Sequence, residues 1–217
     1  NYTFEDQTQS NGEVYKAKVN LRLSDAYDLI WDFDKTLIQG YMQAPLFQKY
    51  KVDGGKFWSE VRQLKEYYEK QNININNDAI YLNHILTYVK SGKFSGLNNQ
   101  SLFELGQELE FYPGLPDFFP KIKNLIENDP KFKHYNIKLE HYIVSTGFAQ
   151  MIRGCKIANF ADGIWGCEFI EDPAPPDFNM DAPYKSSNPE LSQIALALDN
   201  TSKTRALFEI NKGANTH

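Results

Sequence analysis

The sequence holds little cysteine, with only Cys155 and Cys167 among its 217 residues. Two thiols supply neither a disulfide framework nor the four-ligand pattern of a zinc site. They read as isolated core thiols, and a reducing, cytoplasmic setting fits them. The chain also lacks an apolar run of the roughly 20 residues that a membrane-spanning helix needs. Excess positive charge is missing too. The net charge is −5, which argues against general nucleic-acid or membrane binding, because both favour a basic surface. The histidines at 84, 134, 141 and 217 show no metal-ligand spacing. No secretory leader is visible, and the chain opens on Asn1, so a segment upstream is expected.

Core-building residues are plentiful. Hydrophobic residues make up 41% of the chain, including 15 Phe and 13 Tyr. That is enough to bury a core, and the length suits one large domain or two small ones.

The stretch Trp31–Leu37 carries the chemistry. An apolar run, Leu29-Ile30-Trp31, leads into Asp32-Phe33-Asp34, with Thr36 and Gly40 close behind. Residues i and i+2 of a strand face the same side, so Asp32 and Asp34 are expected to point into one space. Carboxylates prefer water, and two held close repel each other. A solvated, capped turn would also place acids there. The apolar strand before them and Thr36 after them favour a catalytic edge.

The strand itself, Asp25 to Phe33, reads as covered on both faces, the pattern of a parallel α/β sheet. In open sheets of that type, ligands bind beyond the carboxyl ends of the strands. Residues 1–24 are polar, with a turn at Ser10-Asn11-Gly12, and Val14 to Leu23 reads as an edge strand or arm.

From 40 to 112 the period becomes helical. Phe57, Val61, Leu64 and Tyr68 share one face; Tyr81, Ile85 and Tyr88 a second; Leu102, Leu105 and Leu109 a third. His84 falls near the second face. The stretch reads as a helical insertion between two core elements. Pro116 then suits the first turn of a helix whose buried face is Phe118, Phe119, Ile122, Leu125 and Ile126, and Asn128-Asp129-Pro130 ends it.

His141-Tyr142-Ile143-Val144 reads as a second short strand, leaving through Ser145-Thr146-Gly147. Phe148 to Cys155 follows as a short helix and Gly163–Phe169 as a strand or hairpin arm. Residues 173–189, rich in proline, read as a long loop. Ile194, Leu196 and Leu198 alternate as another strand. Asp199-Asn200-Thr201 supplies capping candidates for a helix from Thr201 to Asn211 that stops at Gly213. Lys203 lies in its first turn, where the helix dipole disfavours a base. An anionic partner accounts for it; so does a solvated surface lysine.

Taken together, Asp32-Phe33-Asp34-Lys35-Thr36, Ile143-Val144-Ser145 and Lys203 resemble, in order, three motifs of the haloacid dehalogenase (HAD) superfamily, and Thr146-Gly147-Phe148 resembles the small-residue turn of its phosphoserine-phosphatase-like members. The resemblance runs from about 26 to 213. It implies an α/β, Rossmann-like parallel-sheet core, 25–39 with 113–217, and a helical cap at 40–112. It implies Asp32 as nucleophile, forming an aspartyl-phosphate, and Asp34 as acid and then base. Ser145, Thr146, Gly147 and Lys203 would bind the phosphoryl group, and Thr36 would order the turn. Mg²⁺ is the implied cofactor, held by the Asp32 carboxylate and the Asp34 main chain, and a small phosphorylated metabolite the implied substrate, selected by a cap rich in tyrosine and lysine (Lys49, Lys51, Lys56).

One expected part is absent. The family's fourth motif, a strand ending in acids, does not follow Lys203 before His217. The chain is a fragment, or an earlier acid such as Asp172 or Asp177 substitutes, or metal binding has been lost; a fragment trimmed at both ends is the favoured expectation. A phosphomutase uses the same two aspartates. A dehalogenase is disfavoured, because it needs no acid at the Asp34 position. The rival outside enzymes is a HAD-like binding module without catalysis.

Overall fold

The apolar run before Asp32 forms the end strand of the described sheet and is only half covered: Leu29 and Trp31 are half-buried, while Tyr27 and Ile30 are exposed, so the burial on both faces expected from its apolar pattern is not found. In a computed structural model that describes residues 9–10, 13–14, 26–133, 135, 137–181 and 189–212, β3 (Ala26–Trp31) pairs in parallel with β4 (Lys138–Phe148). β4 pairs in parallel with β5 (Gly163–Ile170), and β5 pairs antiparallel with β6 (Gln193–Leu196). The sheet order is β3-β4-β5-β6, a mostly parallel α/β sheet as the buried-strand pattern predicts. β1 (Gln9–Ser10) and β2 (Glu13–Val14) form a separate antiparallel pair. The rest of the expected edge strand up to Leu23 lies outside the described residues.

Four helices fill the span between β3 and the return of the chain: α1 (Ala44–Lys49), α2 (Gly54–Glu69), α3 (Asn77–Lys90) and α4 (Asn99–Gly106). Asp53, Asn76 and Asn98 cap the last three through their side-chain oxygens, which supplies the acceptors that orphan N–H groups need. α5 (Phe118–Asn128) and the short α6 (Pro130–Lys133) lead back to the sheet. Pro116 precedes α5 rather than opening it. α7 (Ala149–Gly154) follows β4 directly, and α8 (Lys203–Lys212) closes the described chain. Lys203 is therefore the first residue of α8, and the helix starts two residues later than the capping pattern suggests because Asp199 holds a turn ahead of it.

One apolar cluster runs through sheet and helices, from Phe33 and Ile143 to Phe57, Leu82, Phe94, Leu105 and Ile152. The α4–α7 crossing is its tightest joint. A Cβ on Gly106 would sit 2.0 Å from the Met151 carbonyl oxygen, and one on Gly154 would sit 1.9 Å from that of Phe103. The two backbones meet there only because neither helix carries a side chain. Both cysteines are buried and free, and burial pushes the Cys155 thiol up to about 11. No helix among the described residues is long and apolar enough to cross a membrane.

Candidate functional site

β3 ends at Trp31, so Asp32 stands just past the strand, in the open. Phe33 folds inward and is fully buried. Its carbonyl accepts the amides of Leu37 (2.9 Å) and Thr36 (3.3 Å), and Lys35 takes φ 60° to close the turn. This tight turn brings Asp34 back over the strand end. Thr36 itself is exposed; its amide holds the turn, and its hydroxyl makes no hydrogen bond among the described residues.

β4 runs further than its apolar stretch suggests. Its pairing with β5 slips between Val144 and Phe148, across Ser145-Thr146-Gly147. The β3–β4 register sets Trp31 opposite Ile143. Asp32 and Ser145 thus leave neighbouring strands at nearly the same level. Ser145 is buried, and its Oγ accepts the Gly147 amide at 3.0 Å. The Thr146 carbonyl accepts from the Tyr81 hydroxyl of α3 and from Cys167 Sγ.

Lys203 reaches across from α8. Its Nζ donates to Asp32 Oδ1 at 2.6 Å, linking residues 171 apart in sequence. The Asp32 side chain is 48% exposed and that of Lys203 21%, so the pair sits at the mouth of the site. The start of α8 is fixed by Asp199, whose carboxylate accepts both the amide and the hydroxyl of Ser202 and a 2.7 Å bond from Asn76 of the α3 cap. Those bonds, that of the Ser202 amide foremost, hold Asp199 down to about 2.

Asp34 is the deeper acid. Burial pushes its carboxyl up to about 6; the Met42 amide, donating at 3.0 Å, opposes this, the charge of Asp32 adds to it, and Lys203 and Lys35 pull it back. A carboxyl so placed takes and gives a proton near neutral pH.

Met42 is a residue that sequence patterning missed. Its amide holds Asp34, and its sulfur lies 3.0 Å from the Phe148 amide. A Cβ on Gly147 would come within 2.3 Å of its methyl group. Met42 thereby ties the turn after β3 to the turn in β4. It lies in a non-periodic connection, which leaves no pattern to find.

A cleft of about 390 Å³ opens over Asp34 and Thr146, walled by α2 (Trp58, Val61, Arg62, Lys65), by α3 (Asp78, Tyr81) and by Tyr41 and Gln43. The lysines 49, 51 and 56 do not line it; Arg62 and Lys65 do, because the α2 positions that face it follow Trp58 at helical spacing. His84 lies elsewhere, bonded to Glu60 at 2.8 Å beside a second hollow.

For a cation the site offers hard oxygen donors, the Asp32 carboxylate and the Asp34 main chain, which suit Mg²⁺ in kind. They fall short in number. No group of three potential metal ligands gathers among the described residues. Asp177 is exposed and Asp172 half-buried on the loop past β5, and neither lines the cleft. On the other side of β3, no strand among the described residues pairs with it.

No protein-family model matches the chain. It is 43% identical over 187 residues to a Borreliella burgdorferi protein described only as uncharacterized, covering 86% of this chain and 65% of that protein's length. Among solved structures, it is similar to a HAD family hydrolase from Salmonella enterica serovar Typhi, with a TM-score of 0.56 and 14% identity over 89% of this chain and 53% of that one. A phosphoserine phosphohydrolase-like protein from Francisella tularensis aligns over 88% of this chain and 74% of its own, with a TM-score of 0.46 and 16% identity. The likeness to the Salmonella hydrolase shows a shared fold: a Rossmann-like, mostly parallel sheet with flanking helices.

Proposed function

We propose that the protein is a HAD-type phosphomonoester hydrolase that works through an aspartyl-phosphate on Asp32. The observation that carries this is the arrangement at the strand ends: an exposed Asp32 gripped by Lys203 at 2.6 Å, beside a buried Asp34 pushed up to about 6. A carboxylate nucleophile, a cation to neutralise phosphate and a protonatable acid are what two-step phosphoryl transfer requires.

In the first step an Asp32 oxygen bonds to phosphorus, the bond from phosphorus to the leaving oxygen breaks, and Asp34 gives that oxygen its proton. In the second, water attacks the same phosphorus, Asp34 takes the water's proton, and the Asp32–phosphorus bond breaks. Lys203 offsets the charge that grows on the phosphoryl oxygens. Ser145 shapes the β4 turn through the Gly147 amide, so that Thr146 and Gly147 can face the phosphate. Helices α1–α4 act as the cap that covers the leaving group. Mg²⁺ is the proposed cofactor and would supply charge neutralisation when bound, although among the described residues its donor set is short by an acid. An acid outside the described residues is the proposed source of the missing donor.

The test is hydrolysis of a generic aryl phosphate by the full-length protein with Mg²⁺. Activity that vanishes in Asp32→Asn supports the reading. Activity unchanged in that variant removes Asp32 from the chemistry, and no activity in the wild type favours a binding module.

A further inference from the structure

One wall of the cleft takes no part in the chemistry assigned to Asp32 and Asp34. Trp58, Arg62 and Lys65 recur on α2 at helical spacing and face the space above Asp34. Neither Arg62 nor Lys65 forms an ion pair among the described residues, although Glu66 and Glu69 lie on the same helix; Glu66 pairs instead with Lys70. The acid across the cleft, Asp78, is half-buried and forms no ion pair with either cation among the described residues. Two cations thus line the recess with no ion pair among the described residues, although Asp34 and Asp78 line it too.

The middle of the cleft is aromatic. The Trp58 ring lies 5.7 Å from that of Tyr81 and 6.2 Å from that of Tyr41, tilted to both. Gln43 is 3% exposed, and its Oε1 has no hydrogen-bond partner among the described residues. A buried amide oxygen left unpaired is costly, and it lies in the lining of this recess.

We propose that α2 carries a second anion subsite, so that the preferred substrate is a phosphomonoester whose leaving group has a flat or apolar body and a second negative group at its far end. This rests on the hydrolase reading for the phosphoryl end. The phosphate sits at Asp32, the body packs along Trp58, and Arg62 and Lys65 take the distal carboxylate or phosphate. Gln43 offers its amide to a polar group on the body. Aromatic rings beside an acid also suit an organic cation. Here the Lys35 ammonium already lies 4.1 Å from the centre of the Tyr41 ring, and Arg62 and Lys65 share the wall. A cationic head would meet three positive charges.

The test compares phenyl phosphate, 4-carboxyphenyl phosphate and 4-(aminomethyl)phenyl phosphate as substrates of the full-length protein with Mg²⁺. The carboxylated compound is expected to lead phenyl phosphate in kcat/KM by roughly three- to tenfold, the scale of two partly exposed charge contacts. That ratio falls to near one in the double variant Arg62→Ala/Lys65→Ala, and the preference weakens with added salt. A ratio near one in the wild type, a ratio unmoved in the variant, or a lead for the aminomethyl compound overturns the subsite. A calorimetric pair, phenylphosphonate against 4-carboxyphenylphosphonate, separates the two readings. If no ester is hydrolysed but the carboxylated phosphonate binds more tightly and loses that advantage in the variant, the subsite stands and the hydrolase reading falls. If neither phosphonate binds, the subsite falls as well.

Discussion

Replacing Lys203 by methionine separates catalysis from stability. The side chain keeps an unbranched apolar stem, one atom shorter, and loses the ammonium with its charge and donors. In the folded protein its ammonium touches Asp32 at 2.6 Å, yet the acid is 48% exposed. Ion pairs at that exposure contribute about 0.5–1 kcal/mol to folding at most. Lys203 is also the first residue of α8, where the helix dipole disfavours a base by about 0.3–1 kcal/mol. The two effects oppose each other, so stability barely changes. Catalysis loses much more. A charge aimed at a phosphoryl group in its transition state is worth about 3–4 kcal/mol, a loss of roughly 10²–10³ in kcat/KM. The acid beside it moves too. Lys203 is one of the charges that pull Asp34 down, so its removal shifts the Asp34 titration above about 6. The assay is hydrolysis of an aryl phosphate across pH, with thermal unfolding followed by circular dichroism. A loss under tenfold with an intact fold, or a loss that simply tracks a collapse in Tm, refutes the reasoning.

Other outcomes follow from the same geometry. With an alkyl phosphate, whose leaving group needs a proton, kcat/KM falls as pH rises through about 6 and Asp34 ionises; with p-nitrophenyl phosphate that limb flattens, and identical limbs would contradict the role of Asp34. Because its folded value is raised from 3.8 to about 6, Asp34 favours the folded state fully below pH 3.8, and that contribution is lost as pH rises through 6. Asp34→Asn is therefore expected to stabilise the protein at pH 8 by about 2–3 kcal/mol while abolishing alkyl phosphate turnover; urea unfolding of a less stable variant would argue the reverse. Gly154→Ala drives a methyl group into the Phe103 carbonyl and is expected to cost about 2–3 kcal/mol by overpacking the α4–α7 crossing; a shift under about 0.5 kcal/mol in the same unfolding assay would deny the contact.

The strands of the site were legible because burial leaves a plain mark. The run into Ser145 appears as β4 and is buried along most of its length; the run into Asp32 appears as β3, but with Tyr27 and Ile30 exposed rather than covered on both faces. β4 is longer than its apolar part because Lys138–Glu140 also pair with β3, with Leu139 buried, and Thr146–Phe148 extend through the slip in pairing with β5. The stripes at Tyr81 and Leu102 mark faces that are buried, whereas Val61, Leu64 and Tyr68 are only half-buried beside Phe57, and on α5 Phe119 is buried while Phe118 and Leu125 are exposed. The opposite, polar face of α2 gave no comparable mark. Arg62 and Lys65 look like solvated charges until the fold turns them over Asp34. The Lys203–Asp32 contact spans 171 residues, so no local period could reveal it; only the order of motifs suggested it. Met42 acts through its amide and its sulfur, neither of which composition reports.

The measurement nearest to the central claim is a search for phosphate on Asp32 itself. The full-length protein is mixed with substrate and Mg²⁺, quenched in acid within one turnover, and digested for peptide mass analysis. One added phosphoryl group is expected on the peptide bearing Asp32, absent in Asp32→Asn and accumulating in Asp34→Asn when the leaving group is p-nitrophenol. Turnover with no phosphorylated peptide at any quench time, or with the phosphoryl group on another residue, would contradict that claim.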